Sequence, residues 1–476
     1  QNESRFDVFV KSAKFKAHGL DGRAIVGIAN LLAVALGREP YAVHEKLLNA
    51  ELKDFSEYEI FRGLRSEEIK KIEDVILQYP FFEIREISRR LYANDPSLSH
   101  IVGYTGEITS SDLLFRDYSQ GERVGKVGVE AFYDDSLRGV PGILVREIDS
   151  RGVILGQELN REPQMGKDMK LRINAELQEK IFGILEKHAR ALDIDAAVAI
   201  VLDPQDGGVI SLVNFPGFDS NLFESGIAAE EFDELVNDPA KPMFNRAIGG
   251  EYPSGSTIKP IIAVAALEEK IISPSDLVYS SGAIEVPSAY NSEVIYVFKD
   301  WKAHGWTDIR KAIADSVNVY FYTIGGGYKD REGLGIQKIE QYLREFKWGL
   351  KLGIDLPGEQ DGLIPTPKWK KEYKGENWYI GDTYNTSIGQ GDILVTPLQL
   401  ALSTAVFANG GILFLPQVAE MIGDVKVQPK ILNRSFLSLE NIKIVREGMK
   451  SAVETGSSKF LADFPSAKRH ALRTMS

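Results

Sequence analysis

Residues 251–260 read EYPSGSTIKP. A Pro-Ser-Gly step leads to Ser256 and Lys259, three positions apart, and then to Pro260. One reading is a helix start. Ser256 accepts a backbone N–H as an N-cap, Thr257, Ile258 and Lys259 form the first turn, and Pro260 stands where a missing N–H costs little. The other reading is a nucleophile and its base. Side chains at i and i+3 share one helix face, so an amine at 259 is placed to take the hydroxyl proton of 256. The two readings are compatible, and the rest of the chain decides between them.

At 476 residues the chain exceeds one typical domain, so two or three are expected. A composition of 43% hydrophobic and 26% charged residues suits a globular protein with a large core. The net charge of −12, with no Lys/Arg stripe interleaved with aromatics, argues against a nucleic acid partner. The absence of cysteine excludes disulfides, thiolate metal ligands and thiol catalysis. Six scattered histidines, His18, His44, His100, His188, His304 and His470, give no pair at ligand spacing, so no metal or other cofactor is expected. No apolar run reaches the roughly 18 residues needed to span a bilayer. AIVGIANLLAVALG (24–37) reads instead as a packed amphipathic helix, and no signal peptide is expected within these residues.

Working outward, RFDVFVKS (5–12) alternates like a strand, and SEEIKKIEDVILQ (66–78) reads as a solvated helix. HIVGYTGEI (100–108) and RGVPGILVREIDSRGVI (138–154) read as glycine-punctuated strands. QMGKDMKLRINAELQEKIFGILEKHAR (164–190) runs from a strand into a helix. AAVAIVLDPQDGGVISLVNFP (196–216) follows, two apolar runs joined by turn residues, which predicts a β-hairpin. Helix, hairpin and then the Ser256 helix predict an α+β architecture, an antiparallel sheet sandwiched by helices. The expected domain boundary lies near residue 165. Asp203 and Asp219 read as turn residues, GLGIQ (333–337) is no phosphate loop, and Trp369, Trp378 and Tyr379 read as packing residues.

A serine nucleophile with a lysine base needs a second proton-handling group, something to hold the substrate, and donors for an oxyanion. ADSVNVYFY (314–322) offers Ser316 and Asn318, two apart, which an extended or turn backbone can aim the same way. Alone, the pair reads as a helix cap. Together, Ser-x-x-Lys and Ser-x-Asn are elements of the motif set of penicillin-binding proteins and class A β-lactamases. The chain resembles the class B penicillin-binding proteins of the elongation type. The likeness extends through GKVGVEAFYDDSLRGVPG (125–142), NRAIGGEYPSGSTIKP (245–260), DWKAHGWTDIRKAIADSVNVYFY (300–322), LGIDLPGEQDGLIPTPKWK (352–370) and WYIGDTYNTSIGQGDILVTPLQLA (378–401). The resemblance implies a non-catalytic dimerisation or pedestal domain over 1–165 and a transpeptidase domain over 166–476.

It further implies a peptidoglycan D,D-transpeptidase. Ser256 attacks the penultimate D-Ala carbonyl of a stem peptide, and an amine of a neighbouring stem resolves the acyl-enzyme. β-Lactams acylate the same serine. Lys259 is the implied base, Ser316 relays a proton to the leaving group, and Asn318 holds the substrate amide. The Ser256 N–H supplies half of the oxyanion hole. Gly389, Gln390 and Gly391 in SIGQG (387–391), with Lys468, are implied substrate-binding residues, the glycines allowing close backbone approach. The implied partners are stem peptides, β-lactams and cell-elongation membrane proteins such as a glycosyltransferase, at the outer face of a bacterial cytoplasmic membrane.

The chain departs from the family at the third motif. No Lys-Thr/Ser-Gly occurs; the segment from 449 tracks the family up to Lys468 and then reads Arg-His-Ala. Loss of two bases from a Lys-Thr-Gly-Thr coding stretch gives Lys-Arg-His-Ala, so a frameshift at 468 and a domain incomplete at its C-terminus are expected. The family's anchor helix is expected to precede Gln1. Loss of one oxyanion donor costs about 2.7–4 kcal/mol. A catalytically weak scaffold of the elongation machinery is therefore the alternative, and a β-lactamase the more distant one.

Overall fold

The computed structural model describes residues 2–52, 57–109, 118, 123–148, 154–224, 226–288, 291 and 293–463. The chain divides into two compact units: 1–96, 104–126 and 219–235 form the first, and 97–103, 127–218 and 236 onward form the second.

In the first unit, β1 (Asn2–Val10) lies between β2 (Tyr58–Leu64) and β3 (Phe82–Arg90), antiparallel to both. The alternation read from RFDVFV sets the register, with Val8 opposite Ile84 and Val10 opposite Phe82. Val8 and Val10 point into a core shared with Ile28 and Leu32 of the helix Gly22–Leu36 and Ile72 of the helix Ser66–Gln78. Asp7 faces the other way and is buried, where its carboxylate accepts the Gly63 N–H (2.6 Å) and pairs with Arg89 (3.2 Å). A buried carboxylate needs both kinds of partner.

The segment expected as a strand from His100 differs. Ser99–Val102 is a single helical turn, and β4 begins only at Tyr104 and ends at Glu107. Pro96 starts a 3-10 turn that runs into the helix, and Gly103 stops it at φ +78. A Cβ at 103 would sit 1.9 Å from the Val127 carbonyl oxygen, so the chain can turn there only at glycine. These breakers override the β-branched residues between them.

In the second unit, Met169–Leu171 (β5) pairs with Ala419–Ile422, and the helix Ala175–Leu192 follows. Ala197–Leu202 (β6) and Val209–Phe215 (β7) form the expected antiparallel hairpin. Asp203 closes its turn as an Asx residue, its carboxylate accepting the Gln205 N–H at 2.8 Å. Gln178, fully buried, fastens the long helix to β7. Its amide donates to the Ser97 and Leu212 carbonyls, and its oxygen accepts from Ser211 Oγ and Leu212 N, all at 2.7–2.9 Å.

The centre of this unit is the helix Lys259–Glu268 (α1). Its sequence KPIIAVAALE has no polar face, and a helix apolar on all sides is a buried helix. Ile261, Ile262, Ala263, Val264, Ala265 and Ala266 are each at most 1% exposed. Lys259 opens this helix with Pro260 at an early position, so the burial that the apolar run dictates extends to the lysine. The hairpin Ala283–Pro287 and Ile295–Lys299 delivers the chain to Asp300. Asn318–Gly326 (α2) and Ile380–Ser387 (α3) then pack against each other so closely that a Cβ on Gly325 would be 2.4 Å from Ser387 Cβ.

Candidate active site

The expected N-cap at Ser256 is not formed. Gly255–Ile258 is a 3-10 turn that feeds into α1, and Ser256 is its second residue, exposed, with no capping bond from its hydroxyl. Gly255 has φ +54, which lets the chain enter the turn sharply. The tighter winding has a chemical consequence. In a 3-10 turn side chains at i and i+3 eclipse, whereas in an α-helix they are offset, so the winding sets positions 256 and 259 on one side of the turn. No hydrogen bond joins the Ser256 hydroxyl to the Lys259 amine, whose bonds go to Ser316 and Asn318. The Lys259 N–H donates to the Ser256 carbonyl, closing that turn. Like the other first-turn amides, the Ser256 N–H has no acceptor within the helix and points out of its end.

Lys259 is 2% exposed. Its Nζ donates to the Ser316 carbonyl (2.8 Å), Ser316 Oγ (2.9 Å) and Asn318 Oδ1 (2.7 Å). The Phe321 ring lies 5.3 Å from the ammonium and adds a cation–π contact. Burial pulls the amine down from its ordinary value to about 8, with the Asp300 carboxylate opposing the shift. Near neutral pH roughly one amine in ten is then free to accept a proton.

Ser316 and Asn318 reach the same nitrogen because the backbone between them is bent. Ser316 has φ +54, a left-handed conformation that a serine adopts only when its surroundings impose it. Val317 occupies the N-cap of α2 and has no side-chain cap to offer. Asp300 supplies one from elsewhere: its Oδ2 accepts the Val319 N–H at 2.9 Å. Sequence reasoning did not single out Asp300, which lies 16 positions upstream of Ser316. The one signal was a valine at a position where a cap is needed.

Of the residues assigned to substrate, Gly389 adjoins the nucleophile turn. Its carbonyl accepts the Gly255 N–H at 2.9 Å, and a Cβ on it would be 2.0 Å from Gly255 O. Gln390 is exposed, its N–H bonded to Asn385 O, and a Cβ on Gly391 would meet only Asn385 Cβ at 3.5 Å. Neither touches the turn. Lys468 and the frameshift site lie outside the described residues. Trp378 bonds Thr383 and Trp369 stacks on the exposed Tyr373, while Tyr379, also expected to pack, is 46% exposed. Among the described residues no group of acidic or histidine side chains is arranged to hold a metal ion.

The penicillin binding protein transpeptidase domain model matches residues 197–471, and the penicillin-binding protein dimerisation domain model matches 1–171. The peptidoglycan D,D-transpeptidase MrdA of Haemophilus influenzae is 34% identical over 376 residues, 77% of this chain and 55% of that protein. The chain thus spans about half the length of the curated relatives it matches. The Helicobacter pylori penicillin-binding protein PBP2, solved in complex with MreC, superposes with a TM-score of 0.77 at 27% identity, covering 95% of this chain and 80% of that one. Pseudomonas aeruginosa PBP2, solved with WCK 5153, gives 0.65 at 32% identity, covering 77% and 75%. The chain belongs to the penicillin-binding protein transpeptidase family, with the dimerisation domain of that family at its N-terminal end.

Proposed function

We propose that this protein is a peptidoglycan D,D-transpeptidase of cell-wall elongation, and that Ser256 is its nucleophile. The observation that carries the reading is the buried Lys259 amine, held by Ser316 and Asn318 one 3-10 turn behind Ser256. A neutral Lys259 takes the Ser256 proton as Oγ attacks the penultimate D-Ala carbonyl. The Ser256 N–H faces the developing oxyanion. Collapse of the tetrahedral intermediate breaks the C–N bond, and the ammonium of Lys259 returns the proton through Ser316 Oγ to the departing D-Ala amine. An acceptor-stem amine then repeats the steps in reverse order. We assign 1–165 to a non-catalytic pedestal and 166–476 to the transpeptidase; the dimerisation match ends at 171 and the transpeptidase match begins at 197, while the compact unit that holds Ser256 also takes in 127–165. We place the reaction at the outer face of the cytoplasmic membrane, with elongation-complex proteins as partners, in keeping with the MreC complex of the Helicobacter relative.

The test is release of D-Ala from a stem pentapeptide with an amine acceptor present. Release and a crosslinked product are expected. Because burial lowers the Lys259 pKa, the neutral base grows scarcer as pH falls. The rate should drop about tenfold per unit below pH 8 and level off above it. No release, together with no labelling by a fluorescent penicillin, would favour the scaffold. Rapid turnover of a chromogenic cephalosporin would favour a hydrolase.

A further inference from the structure

We propose that Asp300 and Trp301 are positioning residues that clamp the Ser316–Asn318 turn from both sides, an inference that rests on the transpeptidase reading only for its kinetic arm. The Asp300 side chain is fully buried. Its Oδ2 accepts the Val319 N–H at 2.9 Å and its Oδ1 the Trp301 N–H at 2.9 Å. Trp301 points the other way: its indole N–H donates to the Asp315 carbonyl at 3.2 Å. One bond lands immediately before Ser316 and the other immediately after Asn318. Between them lie the strained Ser316 and both side chains that hold the Lys259 amine.

A left-handed serine is strained and persists only where flanking contacts over-determine it. No side chain within the turn caps α2, because the cap position is Val317. The clamp supplies both missing restraints from two consecutive residues at the end of a hairpin. Asp300 is also the carboxylate that acts on the Lys259 charge. Asp300 itself is faced by His304, whose Nε2 lies 3.8 Å from Oδ1, while His304 Nδ1 lies 3.9 Å from Asp315; Lys302 and Lys311 add positive charge around the imidazole.

Trp301→Phe removes the indole N–H alone, and Asp300→Asn keeps the shape and removes the charge. The experiment measures penicillin acylation rate against pH, and hydrogen exchange of the 315–322 segment, for both variants and the parent protein. Trp301→Phe should slow acylation about 2- to 10-fold and Asp300→Asn about 10- to 100-fold, the ranges for losing a neutral and a charge-assisted hydrogen bond. Both should speed exchange at Val319 while exchange in α1 stays at the parent rate. Asp300→Asn should also shift the rise in rate to lower pH, a displacement that loss of packing alone does not produce. Parent-like exchange across 315–322 in both variants would overturn the clamp, whatever the rates. If the parent is not acylated but exchange rises in both variants, the clamp stands and the transpeptidase reading falls.

Discussion

Replacing Lys259 with methionine should lower the rate of penicillin acylation by about 10²–10⁴ while leaving the protein folded. The amine is the sole candidate base in contact with the Ser316–Asn318 pair among the described residues, and methionine has similar length and no proton affinity. The fold should survive because the site is 2% exposed at the start of an apolar helix, where methionine is at home. Three oxygens lose a donor, at about 1–3 kcal/mol for each left dry, but a buried charge disappears as well and offsets part of that. Lys259→Arg makes the complementary test. It keeps a cation and its hydrogen bonds but cannot deprotonate. If the lysine acts by charge alone, arginine should restore the rate; if it acts as the base, arginine should be as slow as methionine. A methionine variant within tenfold of the parent would remove Lys259 from the chemistry.

Gly389→Ala should be nearly as damaging, by geometry instead of chemistry. The added methyl would sit 2.0 Å from Gly255 O and 2.5 Å from Ser254 Oγ, on a residue with φ +73. Both neighbours belong to the backbone step that delivers Ser256, so relief of the overlap must move the nucleophile. A displacement near 1 Å costs about 10²-fold in rate, and the forced repacking about 1–3 kcal/mol in stability. Gly375→Ala is the control. It carries a similar left-handed φ of +72, yet nothing lies within 4 Å of its added methyl. It should lose about 1 kcal/mol of stability and little activity. Equal losses in acylation for the two variants would show that the close approach at 389 does not hold the turn.

How far the sequence foretold this site depends on how local each part is. Ser256 and Lys259 were legible because three positions within one turn fix their relation. Ser316 and Asn318 were legible as a pair, but their shared target was not, since Lys259 lies 57 positions from Ser316. The turn at Ser256 differs from an α-helical N-cap: Gly255 has positive φ and its N–H bonds the carbonyl of Gly389, more than 130 residues away, a contact that local sequence does not announce. The Ser99–Val102 helix was misread because β-branched residues outvoted the proline and glycine around them. Asp300 went unread for the reason that governs most buried carboxylates. Its partners are backbone amides, which carry no signature in side-chain identity.

An activated nucleophile at position 256 is tested most directly by the mass of the protein after exposure to benzylpenicillin, followed by peptide mapping. The predicted result is one penicilloyl group per chain, carried by the peptide containing Ser256 and absent from Ser256→Ala. An unmodified protein, or an adduct that maps to another residue, would contradict it.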